Sequence, residues 1–446
     1  MKFTKFGKAL LLSALSAGLI LGVTSCIQSY GTGYLYVTGT NTSQPTGVGI
    51  ISGFVVDHNT GKLFPIHGLP VSSGGANPGR FVLTVGSKFI YVLNQGVTAS
   101  GSTNCTTASP CQNSNITQFA VGGNGILTAQ ETFYTQGINP FRIMVDGSGS
   151  YLYVLDHDSP DNYNQSEPAI ANGCTQALTG ATTCGDITAF SINPTTGRLS
   201  LIQNAQVKVT TTANGTQNLT YFPVPANPID FVLNGSYVLS LYGTPASGDS
   251  VFFYATSNGQ LTITNSQPYA PGTHHATAIV VAGSVTYILD NEAPSPNPNG
   301  AVSQILPYNI GTGTLTPEPG GSVPDDPTLS NPNYILQESK GKFLYLVNQG
   351  GNPAVPTNPN GGLAGYVINS PYQLTFTDPS YFGTGSAPQC IVEDPSAQFI
   401  YTANNDSTVT GRVVDPNAGV LTDLRVASSY ALQGPAAWCV IDSRTN

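Results

Sequence analysis

Residues 434–442 (GPAAWCVID) near the end of the chain and residues 33–39 (GYLYVTG) near its start read as two halves of one repeat. The first half has a Pro followed by an apolar stretch, as a strand start would. The second half is a tyrosine-centred strand with nothing before it. Complete copies of the same unit lie between them, each with a Pro, an apolar stretch, a Gly- or Ser-containing turn, and a Tyr thirteen residues after the Pro. They occur at Pro78/Tyr91, Pro140/Tyr153, Pro332/Tyr345 and Pro388/Tyr401. Pro228/Tyr237 is a shortened copy, and the segment from His275 to Tyr287 is a copy without the Pro. After each Tyr the chain continues in one style (YVLNQG, YVLDHD, YILDNE, YLVNQG, YTANND), and apolar runs of four to six residues flank each turn, as in two antiparallel strands.

A second signature follows each of these: an aromatic, a polar turn often containing Gly, then Leu. The aromatics are Phe54, Phe119, Phe190, Tyr254, Tyr308 and Tyr366, and the leucines are Leu63, Leu127, Leu199, Leu261, Leu315 and Leu374. A seventh copy has Arg412 in the aromatic's place and ends at Leu421. Turns such as VDHNTGKL and INPTTGRL carry Asn, Asp, Pro and Gly where hairpins need unusual dihedrals. There are seven second hairpins but only six contiguous first hairpins. Joining 33–39 to 434–442 supplies the seventh. A strand from each terminus then closes a ring and removes the exposed sheet edge of a linear array. The expected fold is all-β: a seven-bladed propeller of four-stranded antiparallel blades over residues 33–446, roughly 58 residues per blade against 40–45 in minimal repeats.

Composition agrees. Charged residues make up 8% of the 446, against roughly 25% in an ordinary domain. Gly (50) and Pro (33) are in excess, as a turn-rich β protein requires. A net charge of −9 with 14 Lys+Arg excludes nucleic-acid binding through phosphates. A hydrophobic share of 40% argues against disorder.

The first 26 residues set an expected compartment. Lys2, Lys5 and Lys8 precede an apolar run from Ala9 to Val23, too short for a membrane span and laid out as a secretory signal. Residues 23–26 (VTSC) resemble a bacterial lipobox, which implies a signal peptide over 1–25, lipidation of Cys26 and a short linker over 26–32. An ordinary signal peptide or an uncleaved anchor is the alternative. Without the three lysines the mature chain carries 11 basic and 23 acidic residues, so the membrane partner is reached through acyl chains and not through a basic patch. The expected location is the cell envelope, outside the cytoplasm. Six cysteines remain, an even number that favours disulfides there. Cys105/Cys111 and Cys174/Cys184 each close a short loop; Cys390 and Cys439, on the innermost strands of the last and closing blades, are left to each other. Spacings of 6 and 10 lack a zinc knuckle, so no metal is expected.

The YVLN/YLVN strands, the Asn77-Pro78-Gly79-Arg80 and Asn139-Pro140-Phe141-Arg142 starts, and the F-x-h-x-x-x-x-G-x-L hairpins resemble YVTN-type propellers. That group includes the lactonase family, with bacterial 6-phosphogluconolactonases of the seven-bladed kind. The resemblance spans about residues 33–442. It implies the fold, and as an activity lactone hydrolysis. One Trp and no W-D dipeptide set the chain apart from WD40 repeats.

Projecting each blade's residues after the Pro and after the Tyr toward one end of the channel groups Arg80, Arg142, Asp230, His274 and His275 with Asn94, Gln95, Asp156, His157, Asn291, Asn348, Gln349 and Asn404. The mature chain has only six Arg and five His, and two and three of them fall here. The alternative is that these residues satisfy backbone groups at strand ends. For hydrolysis of a lactone, His274 or His275 is the candidate base, with His157 second, and Arg80 and Arg142 are candidate donors to the oxyanion. Asn94, Asp156, His157, Asn291, Asn348 and Asn404 are candidate ligand-binding residues. No G-x-S-x-G elbow is present. A chain that is exported, acidic and nearly free of Lys on this face suits a neutral lactone or sugar better than a phosphorylated one. Residues 156–167 (DHDSPDNYNQSE) place acids as a calcium loop would, but Pro160 and Asp161 stand where a ligand and a Gly are needed, so no cofactor is expected. Long inserts at 97–114, 157–184 and 350–362 crown the same face. The leading expectation is a monomeric binding module for a small sugar, an envelope glycan or a protein; a lactone hydrolase is the alternative.

Overall fold

The structure is a computed structural model that describes residues 31–442 apart from 45–46, 85, 161–183, 205–207, 212–214, 219, 245–247, 264–267, 298, 312, 356–359 and 370–371. Cys26, Cys174 and the segment before residue 31 lie outside the described residues. Seven antiparallel sheets of four principal strands form a ring, and the described residues contain no helix. The innermost strands are Pro78–Leu83, Ile138–Val145, Pro228–Asn234, Ala276–Ala282, Leu329–Gln337, Pro388–Glu393 and Ala436–Asp442. Each touches the next around the channel, and the last touches the first. We number the blades from the one holding both termini, so that Pro78–Leu83 opens blade 2 and Pro388–Glu393 opens blade 7. Four blades add a fifth short strand at Val71–Ala76, Tyr221–Val224, Val323–Pro324 and Ser429–Ala431.

Ring closure follows the split repeat. Gly31–Thr40 pairs on one side with Val48–Asp57 and on the other with Ala436–Asp442, in a register that sets Val37 opposite Cys439 and Tyr34 opposite Asp442. Cys390 and Cys439 form a disulfide with Cα atoms 5.8 Å apart, joining blade 7 to blade 1. Cys105 and Cys111 are bonded across their loop, and Cys184 is also in a disulfide. Bridges of this kind persist in oxidising compartments. No helix among the described residues is long and apolar enough to cross a membrane.

The two sequence signatures meet in space. Tyr36, Tyr345 and Tyr401 donate from their hydroxyls to the carbonyls of Gly125, Gly419 and Gly61, at 2.8, 2.8 and 2.7 Å, and Tyr91 donates to Gly197. Each bond runs from the second strand of one blade to the outer hairpin turn of the next. All four glycines have φ near +70°, where a Cβ is strained. The aromatic two residues before each tyrosine (Tyr34, Phe89, Phe343, Phe399) lies where that Cβ would have to go. Beside these bonds, the paired strands contribute fully buried Val, Ile and Leu to blade-to-blade packing.

Candidate functional site

Every innermost strand is irregular at the same point. The register slips near the start of each strand: after Pro78, Pro140, Pro228, Ala276, Pro332, Pro388 and Ala436. Such bulges re-aim side chains. In four blades the Pro follows an Asn at positive φ (Asn77, Asn139, Asn227, Asn331), a conformation Asn tolerates better than most residues; Ala387 does the same in blade 7. The turn and the bulge together bring one short stretch per blade to one end of the channel.

There they line a cavity of about 540 Å³, to which six of the seven innermost strands contribute through Gly79, Arg80, Arg142, Thr277, Asn333, Gln389 and Trp438 among others. The ends of second strands add Gln95, Gln349 and Asn405. The wall is a necklace of carboxamides. Asn331 Nδ2 donates to Gln349 Oε1 at 3.1 Å, Gln349 Nε2 to Gln389 Oε1 at 2.8 Å, and Asn333 Nδ2 to the Gln389 carbonyl at 3.1 Å. Gly79 lets the chain pass close to Gln95, whose amide a Cβ there would strike.

Its charge comes from two arginines that share one acid. Arg80 holds Asp230 with both terminal nitrogens, at 3.1 and 3.3 Å, and Arg142 Nε reaches the same carboxylate at 3.0 Å. Asp230 is fully buried and also accepts from the Phe231 amide. Arg80 lies over the ring of Trp438, 4.5 Å from its centroid, in a cation–π contact. Arg142 gives Nη1 to the Phe141 carbonyl at 3.2 Å. Burial first, then the Arg80 charge, lowers the Arg142 pKa to about 10 while Asp230 raises it, so the group stays charged at neutral pH. Two cations against one anion leave a positive charge in excess, and no other charged residue lines the cavity.

The other sequence-expected residues lie elsewhere. His274 and His275 line a separate cavity of about 790 Å³ with Asn227, Asp249 and Glu292, and share no lining residue with the arginine cavity. His274 Nδ1 is 3.2 Å from Glu292 Oε2, and His275 Nδ1 is 4.0 Å from it. Asn94, Asn348, Asn404 and Asp156 are fully buried and turn into their blades. Asn94 bonds Ser73, Asn115 and Thr117; Asn404 bonds Thr408 and Thr410; Asn348 reaches Asp325, and Asp156 accepts from Thr135. Asn291, on the surface, accepts from the Asn331 amide at 2.8 Å. His157 stacks on Phe141, ring centroids 3.7 Å apart and 10° from parallel. Desolvation of the ring by the surrounding atoms, and after it the charge of Arg142, pulls its pKa down to about 4, with Asp158 opposing. In the acidic stretch that begins at residue 156, Asp158 accepts from Thr107 and Asn139, and the part from residue 161 onward lies outside the described residues.

Sequence reasoning missed Asn333, Gln389, Thr277 and Trp438. The signal was available: each lies one or two residues after the point where the register of its innermost strand slips, the position that in blade 2 carries Arg80.

No protein-family profile matches the chain, and no curated protein sequence does. Solved structures do match in fold. A Bacteroides fragilis protein described as a candidate 6-phosphogluconolactonase is 16% identical with a TM-score of 0.60, the match covering 92% of this chain and 98% of that one. The periplasmic gluconolactonase of Pseudomonas aeruginosa is 16% identical with a TM-score of 0.59, covering 92% and 99%. A hypothetical selenium-binding protein of Sulfolobus tokodaii is 10% identical with a TM-score of 0.58, covering 94% and 95%. Structural similarity at identities this low shows a common fold and leaves the activity to be argued from the site.

Proposed function

We propose that the protein is a binding module whose channel mouth takes a small polyhydroxylated carboxylate, a sugar acid in chemical class. The observation that carries this reading is the Arg80–Asp230–Arg142 cluster in an amide-lined cavity. Arg80 Nε and Arg142 Nη2 have no acceptor among the described residues, so donors remain for a carboxylate. The carboxamides offer both donors and acceptors to hydroxyl groups, and Trp438 offers a flat apolar wall. Titration of the purified chain with gluconate, galacturonate and glucose, followed by calorimetry, tests it. The acids bind and glucose binds at least tenfold more weakly. Arg80→Gln and Arg142→Gln each weaken the acids by a factor of ten or more, since a hydrogen bond to a charged group contributes about 1.5–3 kcal/mol. Equal affinity for acid and neutral sugar, or none for either, overturns the reading.

A second reading, lactone hydrolysis, is favoured by the lactonase-like fold of the structural neighbours and by the same donors, which would stabilise an oxyanion. It also needs a base for water, and the described lining of the mouth holds no His, Glu or Asp. Acid release from a panel of aldonolactones separates the two. Turnover lost in Arg142→Gln would favour the hydrolase at the mouth; no turnover above background favours binding.

A further inference from the structure

Beside the mouth lies a groove of about 490 Å³, and Gln95 and Arg142 line both spaces. Each volume falls within the roughly 300–1,000 Å³ of small-ligand sites. The groove is built rather than incidental. Its outer wall is the segment that leads into the loop closed by Cys105–Cys111, and it is pinned on both sides: Asn77 Nδ2 donates to the Thr103 carbonyl at 3.1 Å ahead of the loop, and within it the Cys111 amide donates to Asn139 Oδ1 at 2.8 Å and Thr107 Oγ1 to Asp158 Oδ1 at 2.8 Å. Its inner wall is layered. Arg142 lies over Phe141, 5.1 Å from the ring centroid, and His157 stacks on Phe141. Both rings line the groove, but Phe141 is largely buried and His157 is the more exposed of the two, so the imidazole presents the larger ring surface. Its nitrogens make no hydrogen bond to a described residue.

We propose that the ligand runs from the mouth past Arg142 into this groove, and is an acidic oligosaccharide of two or more residues with its carboxylate at the arginines and its next ring against His157. The inference rests on the sugar-acid reading of the mouth and adds the second subsite. A flat ring with free polar edges suits a pyranose, which presents an apolar face and a hydroxylated rim. Asn104 and Gln95 supply amides at that rim. The imidazole is neutral at neutral pH and so neither repels the arginines nor competes for the carboxylate.

Calorimetry of the purified chain with galacturonate, digalacturonate and trigalacturonate tests the subsite. The disaccharide is expected to bind at least tenfold tighter than the monosaccharide. His157→Ala removes that gain and leaves galacturonate unchanged, whereas His157→Phe, which keeps a flat ring in the stack, retains it. Equal affinity for mono- and disaccharide overturns the second subsite and leaves the mouth standing. Binding of none of the three overturns both. A tripeptide with a free carboxyl terminus binding as tightly as digalacturonate overturns the sugar assignment.

Discussion

Asp156 and Asp186 face each other across adjacent strands of blade 3, both fully buried. At the same register blade 2 pairs Asn94 with Asn115, and blade 5 pairs Asp290 with Gln304, each joined by a side-chain hydrogen bond of 2.9 or 3.0 Å. Blade 3 has two acids where blades 2 and 5 have a donor and an acceptor. Oδ2 of Asp156 and both oxygens of Asp186 lack a well-formed hydrogen bond among the described residues, and Gly137 covers the pair so closely that a Cβ would overlap both side chains. Among the described residues, Asp158 adds a further like charge beside them. Burial first, and then like-charge repulsion at Asp186, raises both carboxyls well above the usual range, so the folded pair keeps a proton that the unfolded chain releases. Stability from this source is complete at low pH and is lost as pH rises from the ordinary carboxylate range through the raised folded value, with a slope of about 1.4 kcal/mol per pH unit for one proton. Asp186→Asn supplies the missing donor. Urea titrations from pH 4.5 to 8 are expected to show the variant more stable at neutral pH and its slope reduced; parallel curves for the two proteins would refute the shared proton. The same positions show what a repeat pattern conceals. Asn94 and Gln95 are adjacent in sequence and the blade projection groups them together, but strand alternation turns the first into the blade and the second to the mouth. Spacing alone does not tell which of two neighbours faces the channel when a bulge lies opposite.

At the level of strands and hairpins, the tyrosine signature and the Gly-x-Leu signature were both legible in sequence, and the contact between them was not. They are read from separate copies, yet the tyrosine of one blade bonds the glycine carbonyl of the next. The glycine is therefore fixed twice, by its own positive φ and by the ring packed over it. Gly419→Ala places a methyl group into Phe343 and strains the backbone, which costs roughly 1–2 kcal/mol for the left-handed conformation alone and more with the overlap. Tyr345→Phe loses the hydrogen bond to Gly419 while keeping the ring, and leaves a buried carbonyl without its partner, a cost of about 1–3 kcal/mol. Chemical denaturation should rank the variants wild type, then Tyr345→Phe, then Gly419→Ala. A Gly419→Ala protein as stable as wild type would mean that the signature marks only a hairpin turn. The bulge escaped the sequence reading for a related reason: a one-residue slip leaves the apolar pattern of a strand intact and appears only when the partner strand is in place.

For the whole ring, closure depends on a strand that pairs with a segment about 400 residues earlier in the chain. Ala436–Asp442 is the innermost strand of blade 1, and its partner Gly31–Thr40 belongs to the other end of the chain. The strand also carries Trp438, which backs Arg80 at the mouth, and Cys439, which ties blade 1 to blade 7. Fold and site are thus coupled through one segment. Ending the chain at Gln433 removes the strand, exposes an edge of Gly31–Thr40 and takes away the disulfide partner of Cys390, so the open ring is expected to aggregate. Replacing both Cys390 and Cys439 by Ser isolates the covalent part. The bridge closes a loop of sequence separation 49, for which loop entropy suggests roughly 4 kcal/mol, within the usual range of 0–5. Strand pairing remains, so the double variant should still fold and bind sugar acids with unchanged affinity, but unfold at lower denaturant. If the double variant loses binding along with stability, the disulfide holds the mouth's geometry directly. If instead the truncated chain stays soluble and binds as before, the ring does not need its closing strand, and Trp438 has no part in the site.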